Sequence, residues 1–242
     1  MTNNGEETMY LAGLDPGGDG RFGWCIVSGP ELPLEVVRAG CAAHAAAAVE
    51  SLLDALGPSA HLHGAGIDSP LFWTPSGNRR VDTLVREAIK RAGARNAGGT
   101  VQHVNSLRGA CLTQGVVAAH LLRRKFPNLP ISEAHPKALL WLTNVASADR
   151  RAASVTMTHL AGFIAGGVEG LSEHERDAAL GAVGAWAMVQ RPHGWRNIAH
   201  EESDAFAPVP PVEYWMPVVA SPNKPLHLTS ALAPCGRSAR RR

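Results

Sequence analysis

The chain has 242 residues, which is enough for one domain of generous size with at most a small appendage. Its 45% hydrophobic and 18% charged residues are ordinary for a globular protein and exclude a chain that is disordered over its whole length. The formal net charge of +2 excludes a global basic field, so a nucleic-acid partner would have to be held by a local patch.

Nothing at the N-terminus indicates export or membrane insertion. Residues 1–8 lack the basic start and the apolar stretch of a signal peptide. No apolar run approaches the roughly 20 residues that are needed to span a bilayer. We therefore expect a flexible N-terminal segment at 1–8, a cytoplasmic protein and no membrane partner.

The first part of the folded region predicts three short strands. Apolar runs at residues 9–14, 22–27 and 34–37 are separated by glycine-rich turns, which is the pattern of an antiparallel meander. The first run ends in Asp15, followed by Pro16-Gly-Gly.

Helices then alternate with strands. Residues 64–67 predict a short strand ending in Asp68, and residues 129–132 predict another that is followed by Glu133. The helical periodicity and its stop signals predict helices over residues 42–56, 79–92, 110–126, 135–142, 149–164 and 172–189. This order indicates an α/β domain with a mixed sheet flanked by helices.

From about Ser203 prolines become frequent, and the chain ends in three arginines. Residues 213–219 predict a last segment laid on the core. Residues 220–242 predict a flexible basic tail, because their composition does not bury a core. The folded domain is therefore predicted to span residues 9–219.

Acidic residues at the ends of strands form the candidate site. Asp15, Asp68 and Glu133 each follow a predicted strand, and Asp177 lies on the last long helix. Carboxylates gathered at one rim of a sheet repel one another unless a cation neutralises them. Hard divalent ions such as Mg²⁺ and Mn²⁺ prefer oxygen ligands, so the set predicts a site for one of them.

Each acid also has a structural interpretation when it is taken alone. Asp15 and Asp68 precede turns that contain proline, where aspartate is a common residue. Glu133 can pair with an arginine, and Asp177 can be a polar position on an amphipathic helix. Taken together, in this order of elements, a shared cation site is the favoured interpretation.

Other residues extend the candidate site. His174 and Glu173 precede Asp177 by three and four residues and share its helix face, so either could add a ligand or a proton-transfer group. Arg79, Arg80 and Arg86 belong to a basic stretch that is either a solvated helix face or a patch for backbone phosphates. Trp73 could stack a nucleobase or cover the core.

The order of elements resembles that of the ribonuclease H-like fold. Leu11-Ala-Gly-Leu-Asp15-Pro-Gly-Gly resembles the opening Asp-x-Gly strand of that group. The segment from His174-Glu-Arg-Asp177 to Trp186 resembles its closing helix, and the His-x-x-Asp pair is similar to one in some Holliday-junction resolvases. The resemblance implies a mixed five-stranded sheet, a three-strand antiparallel meander followed by parallel strands, flanked by helices.

More narrowly, four segments resemble domain-of-unknown-function family 429, usually described as predicted ribonuclease H-like nucleases. They are the Asp15 strand, Gly66-Ile-Asp68-Ser-Pro70, Glu133-Ala-His-Pro136 and the Arg-Asp-Ala-Ala helix at Asp177. Arg79-Arg80-Val-Asp82-x-x-x-Arg86 resembles the Arg/Asp-rich helix start of that family. The resemblance spans about residues 9–189.

The function expected from these features is metal-dependent hydrolysis of phosphodiester bonds in DNA or RNA. Asp15 would bridge two Mg²⁺ or Mn²⁺ ions about 3.5–4 Å apart, with Asp68, Glu133 and Asp177 completing their coordination. His174 or His135 would transfer a proton.

Two other functions stay open. One is an inactive module of the same fold that binds nucleic acid or another partner. The other is an ATP-binding protein of the actin-like and sugar-kinase class, which shares the fold and its Asp-x-Gly strand. Those proteins need a second, duplicated half, and 242 residues are too few for two halves.

Overall fold

A computed structural model describes residues 8–17, 20–74, 79–101, 109–143, 160–166, 169–203 and 205–218. The strands are β1 (Tyr10–Pro16), β2 (Phe22–Ser28), β3 (Leu34–Ala42), β4 (Leu62–Ile67), β5 (Ile131–Glu133), β6 (Ile164–Ala165), β7 (Trp195–Asn197) and β8 (Glu213–Pro217). The helices are α1 (Ala45–Leu56), α2 (Arg80–Arg91), α3 (Ala97–Thr100), α4 (Gly109–Lys125), α5 (Pro136–Thr143) and α6 (Glu173–Gln190), with a 3-10 helix at Ala199–Glu201.

The strands form one mixed sheet in the order β6-β3-β2-β1-β4-β5-β8-β7. Neighbours are antiparallel from β1 to β2 and from β2 to β3, and parallel from β1 to β4 and from β4 to β5. The predicted α/β class, with a mixed sheet flanked by helices, is confirmed.

The sheet has eight strands where five were predicted. Strand β6 pairs with β3 at one edge, and β8 and β7 extend the sheet beyond β5 at the other. The extra strands have two to five residues, too few for a periodic pattern to be recognised. Residue 164, the predicted end of the helix at residues 149–164, lies in β6, and residues 149–159 of that predicted helix lie outside the described ranges.

Helix α6 crosses one face of the sheet in direct contact with its backbone. A Cβ atom built on Gly13 would lie 1.6 Å from the carbonyl oxygen of Ala178, and one on Gly66 would lie 1.9 Å from that of Gly181. The glycines of β1 and β4 and the small residues of α6 therefore let the helix lie close to the sheet.

The start of α6 is fixed by a capping box. The Ser172 side chain accepts from the backbone N–H of Glu175, and the Glu175 side chain accepts from the backbone N–H of Ser172. The first turn of the helix then lies over β2, where a Cβ on Gly23 would be 2.3 Å from the carbonyl oxygen of His174. Since Gly23 pairs with Asp15, the N-terminal end of α6 lies beside the C-terminal end of β1.

Helices α1 and α4 cover the opposite face, where they pack on Leu14, Ile26 and Ile67. A third apolar cluster joins α2 and α5 to β8. Within the described ranges, no helix is long and apolar enough to cross a membrane. The predicted segment at residues 213–219 forms β8 at Glu213–Pro217, and the predicted tail from residue 220 lies outside the described residues.

Candidate functional site

Three aspartates lie around the junction of β1, β4 and α6, and we call Asp15, Asp68 and Asp177 the acidic rim. The parallel pairing of β1 with β4 brings their C-terminal ends together, and the backbone N–H of Asp68 donates to the carbonyl oxygen of Leu14 at 2.9 Å. Asp177 directly precedes Ala178, the residue of α6 that meets β1. The structure therefore brings together three of the four predicted metal ligands.

The side chain of Asp15 lies on the α6 face of the sheet. Side chains alternate between the two faces of a strand, so Asp15 shares a face with Gly13, which contacts α6. Accordingly, Nδ1 of His174 on α6 shares a hydrogen bond of 2.7 Å with Oδ2 of Asp15. The predicted proximity of His174 to the acid site is present in the geometry.

The acidic rim is electrostatically unfavourable for its own negative charges. Burial, followed by the charge of Asp68, raises the pKa of Asp15 to about 8. Burial, followed by the charges of Asp68 and Asp15, raises the pKa of Asp177 to about 7. These shifts arise because a carboxylate out of water beside like charges is costly to ionise.

Two histidines are bonded to the acidic rim. Besides the bond between His174 and Asp15, Nδ1 of His135 lies 3.2 Å from Oδ1 of Asp68. Burial by itself lowers the pKa of His135, but the hydrogen bond to Asp68 and the nearby carboxylates outweigh it and raise the pKa. Each of the two aspartates on the strand side thus has an imidazole partner.

The third aspartate of the acidic rim, Asp177, lies near a lysine. Nζ of Lys137 donates to Oε1 of Glu173 at 3.0 Å and lies 3.8 Å from Oδ2 of Asp177. Burial lowers the pKa of Lys137, but the hydrogen bond to Glu173 and the charge of Asp177 outweigh it, so the pKa is raised. Lys137 therefore stays cationic at the acidic rim.

Glu133, the fourth predicted ligand, belongs to a different group. Its two carboxylate oxygens accept from Nη2 and Nη1 of Arg79 at 2.7 and 2.9 Å, and the backbone N–H of Leu71 donates to Oε2 at 3.0 Å. Arg79 also donates to both oxygens of Asp82. We call Arg79, Asp82 and Glu133 the Arg79 network; each is at most 1% exposed.

The alternation of side chains along β5 explains this placement. Ile131 packs on the α1 and α4 face, whereas Ser132 lies near Gly184 of α6. Glu133 therefore points away from the α6 face on which Asp15 lies. Its position at the end of a strand was predicted, but its side chain lies on the other face of the sheet from that of Asp15.

Asp82, Glu133 and His135 could hold a metal ion, because one ligand atom from each lies within 4.8 Å of the others. Arg79 already compensates both carboxylates of this group, so a cation there would compete with the guanidinium. The acidic rim lacks such an arginine in the described structure, and Lys137 and the two histidines are its basic partners. Carboxylate oxygens are the most numerous metal-ligand atoms both in the acidic rim and in the group of Asp82, Glu133 and His135.

The four residues predicted to contact nucleic acid differ in how far their side chains are exposed. Arg79 is 1% exposed and bound to two carboxylates, so it is not a surface cation, which corrects its assignment as a phosphate contact. Arg86 donates to the carbonyl of Val101 and to Thr83 and is partly buried. Arg80 keeps 65% of its side chain exposed, and Trp73 is half-buried.

Neither Lys137 nor the pairing of Asp82 with Arg79 was predicted from the sequence. A signal existed for the second, because Arg79 and Asp82 are three residues apart at the start of a helix and so face each other. Lys137 follows the Glu133-Ala-His-Pro136 segment directly, but only the packing of α5 beside α6 brings it to Asp177.

Comparison of the chain with family models, with curated proteins and with solved structures finds no match.

Proposed function

We propose that this chain is a metal-dependent nuclease of ribonuclease H-like architecture that hydrolyses phosphodiester bonds of DNA or RNA at the acidic rim. The central strand order β3-β2-β1-β4-β5, in which the first two neighbouring pairs are antiparallel and the next two are parallel, supports this architecture. The resemblance to family 429 belongs to the same proposal and depends on the motifs at Asp15, Asp68, Glu133 and Asp177.

The observation that carries the proposal is the convergence of Asp15, Asp68 and Asp177. Two strand ends and one helix bring these carboxylates together, and burial, followed by the charge of the neighbouring carboxylates, makes Asp15 and Asp177 harder to ionise. A protein that needed only turn-forming aspartates would gain nothing from gathering them. A divalent cation turns the same repulsion into coordination.

The chemistry of the acidic rim fits Mg²⁺ or Mn²⁺. Its donors are carboxylate oxygens, and thiolates are not among them. Asp15, Asp68 and Asp177 would hold the ions, with Glu173 as a further oxygen donor. Bound there, such ions supply an activated water and stabilise the leaving oxygen of the scissile phosphodiester.

The basic side chains around the acidic rim would transfer protons and attract the phosphate. Nδ1 of His174 is bonded to Asp15, which orients the ring and leaves Nε2 as the atom for proton transfer. His135 is held in the same way by Asp68. Lys137 adds a positive charge that favours the approach of a phosphate.

The same basic partners support a second candidate, an inactive module of this fold that binds nucleic acid. Lys137, His135 and His174 partly compensate the acidic rim without any metal. In that case divalent ions would not stabilise the protein.

The deciding experiment incubates labelled single- and double-stranded DNA and RNA with the parent protein in Mn²⁺, Mg²⁺ or EDTA. Asp15→Asn is tested in parallel, with Asp54→Asn as the control, because Asp54 is an exposed acid on α1. We expect cleavage that requires metal, is lost in Asp15→Asn and persists in Asp54→Asn. Cleavage in EDTA, or an active Asp15→Asn, contradicts the proposed mechanism.

Melting curves separate the alternatives. Metal alone should stabilise a nuclease, ATP with metal should stabilise a kinase-like protein, and neither should stabilise an inactive module.

A further inference from the structure

Trp73, half-buried on the loop that leaves β4, and Phe206, exposed on the segment that precedes β8, form an aromatic pair. Trp73 and Phe206 form an isolated antiparallel bridge, in which each backbone N–H donates to the carbonyl oxygen of the other residue at 2.9 Å. Their ring centroids are 6.2 Å apart with an angle of 31° between the planes. Phe206 is 60% exposed, more than any other large hydrophobic residue of the described structure.

The pair is held in place from beneath. Leu71 and Phe72 are each 2% exposed, the N–H of Leu71 donates to Glu133 and the carbonyl of Phe72 accepts from Arg79. The Arg79 network thus anchors the loop, and Trp73 follows a run of buried residues at 69–72 and is itself half-buried. An aromatic face on an anchored backbone offers a binding surface with little ordering cost.

The aromatic pair is near enough to the acidic rim for one nucleic-acid strand to contact both. Trp73 follows Asp68 by five residues, so their Cα atoms are at most about 18 Å apart. The segment that carries Phe206 also reaches α2, since Glu202 accepts from the N–H of Val81 at 2.7 Å. Arg80 is 65% exposed in a 3.6 Å contact with Glu201, a weak surface pair that leaves the guanidinium free to contact a phosphate.

We propose that Trp73 and Phe206 form a stacking platform for an unpaired nucleobase, so that the nucleic acid held near the acidic rim is single-stranded. The faces of bases inside a duplex are covered by their neighbours, and only an unpaired base presents a face to an aromatic ring. Two side chains are far fewer than the 20–30 residues per partner of a standard protein interface. The inference rests on the proposed nucleic-acid function and names its substrate class.

The test measures binding in EDTA, where metal-dependent cleavage does not occur. The probes are fluorescein-labelled single strands of DNA and of RNA and a duplex of the same sequence, followed by fluorescence anisotropy. The variants are Phe206→Ala, Phe206→Leu, Phe206→Tyr and Trp73→Ala, with Val117→Ala as the control because Val117 is 39% exposed on α4.

We expect the parent to bind a single strand more tightly than the duplex. Trp73→Ala, Phe206→Ala and Phe206→Leu should each weaken single-strand binding about tenfold. Phe206→Tyr and Val117→Ala should bind like the parent. The Leu variant is decisive, because it keeps an apolar side chain and loses only the aromatic face at an exposed position where folding is not at risk.

Unchanged single-strand binding by Phe206→Leu overturns the inference, as does equal weakening of single-strand and duplex binding. A change in self-association by sedimentation, with binding unaffected, would make the pair a protein contact and also overturn it. If these results accompany metal-dependent cleavage by the parent, only the platform is wrong. If the parent neither binds nor cleaves any probe, the proposed function fails with it.

Discussion

Asp15 and Asp82 are both buried aspartates, but their surroundings differ in sign. Asp82 is 1% exposed, and both of its oxygens accept hydrogen bonds from Arg79. Asp15 is 8% exposed and lies next to another carboxylate that opposes its ionisation. Neutralising the first removes a favourable pair, whereas neutralising the second removes a repulsion.

The two Asp→Asn variants should therefore change stability in opposite directions in EDTA. We expect Asp15→Asn to be as stable as the parent or more stable. Asp82→Asn should lose about 3 kcal/mol, because one partner of a buried ion pair is removed. Urea unfolding of both variants measures the difference. An Asp15→Asn protein that is as destabilised as Asp82→Asn would show that Asp15 is structural.

Tyr214 carries an energetic cost that a single substitution should relieve. The residue is fully buried, and its hydroxyl oxygen has no hydrogen-bond partner in the described structure. Tyr214→Phe removes this hydroxyl at nearly constant shape, so we expect a gain of about 1 kcal/mol, or a rise in Tm of about 2–4 °C. Tyr10→Phe, at a half-buried position, is the control. A clear loss of stability in Tyr214→Phe would mean that the hydroxyl is bound in solution.

At the scale of elements, the contact between α6 and the sheet places Asp177 and His174 beside Asp15. This contact leaves no room for a side chain on Gly13 or Gly66. Adding a methyl group there would push the helix away from β1 and β4, since the nearest atoms belong to helix backbone that has no rotamer to change.

Gly13→Ala should consequently destabilise the protein by more than about 3 kcal/mol and abolish metal-dependent stabilisation. Gly98→Ala is the matched control, because Gly98 lies in α3 with no atom within 4 Å of a built Cβ; there alanine should be neutral or stabilising. Thermal unfolding of both variants gives the comparison. Equal melting temperatures for Gly13→Ala and the parent would disprove the close packing of α6.

The elements that position the acidic rim were largely predictable. Strand β4 was expected at residues 64–67 and lies at Leu62–Ile67, and the last helix was expected at 172–189 and is Glu173–Gln190. The strand is a short apolar segment followed by Ser69-Pro70, and the helix has an apolar pattern that repeats over several turns. Strand β3 runs to Ala42, whereas a strand was predicted only to residue 37, because its exposed half has no apolar alternation.

The side-chain partners were less predictable. The sequence predicted Glu133 at the end of a strand. It did not show which face of the sheet the side chain is on, or that a buried Arg79 lies there. Both depend on tertiary packing, and as a result Glu133 belongs to the Arg79 network. An arginine in a basic stretch is ordinarily solvated. Only the tertiary contacts of Arg79, with its guanidinium carbon 4.7 Å from the centroid of the Phe72 ring, show that this one is buried.

At the scale of the whole molecule, the net charge of +2 is small, so the pH dependence of stability should be governed by a few perturbed groups. The pKa values of Asp15 and Asp177 are raised to about 8 and about 7, whereas an aspartate in an unfolded chain has a pKa of about 3.9. The folded protein therefore binds more protons than the unfolded chain between these values. By linkage, stability is lost as pH rises through them.

In EDTA we expect the Tm to fall steadily as the pH is raised from about 5 to about 8. The raised pKa of His135 acts in the same direction, since its protonated form is favoured in the folded state. Mn²⁺ should reverse the trend, because it binds ionised carboxylates and so stabilises more at the higher pH. Asp15→Asn should flatten the EDTA profile, whereas Asp54→Asn should keep the parent slope. A Tm that stays constant or rises with pH in EDTA would show that the carboxylates of the acidic rim are not held at raised pKa values, and the proposed metal site there would lose its electrostatic basis.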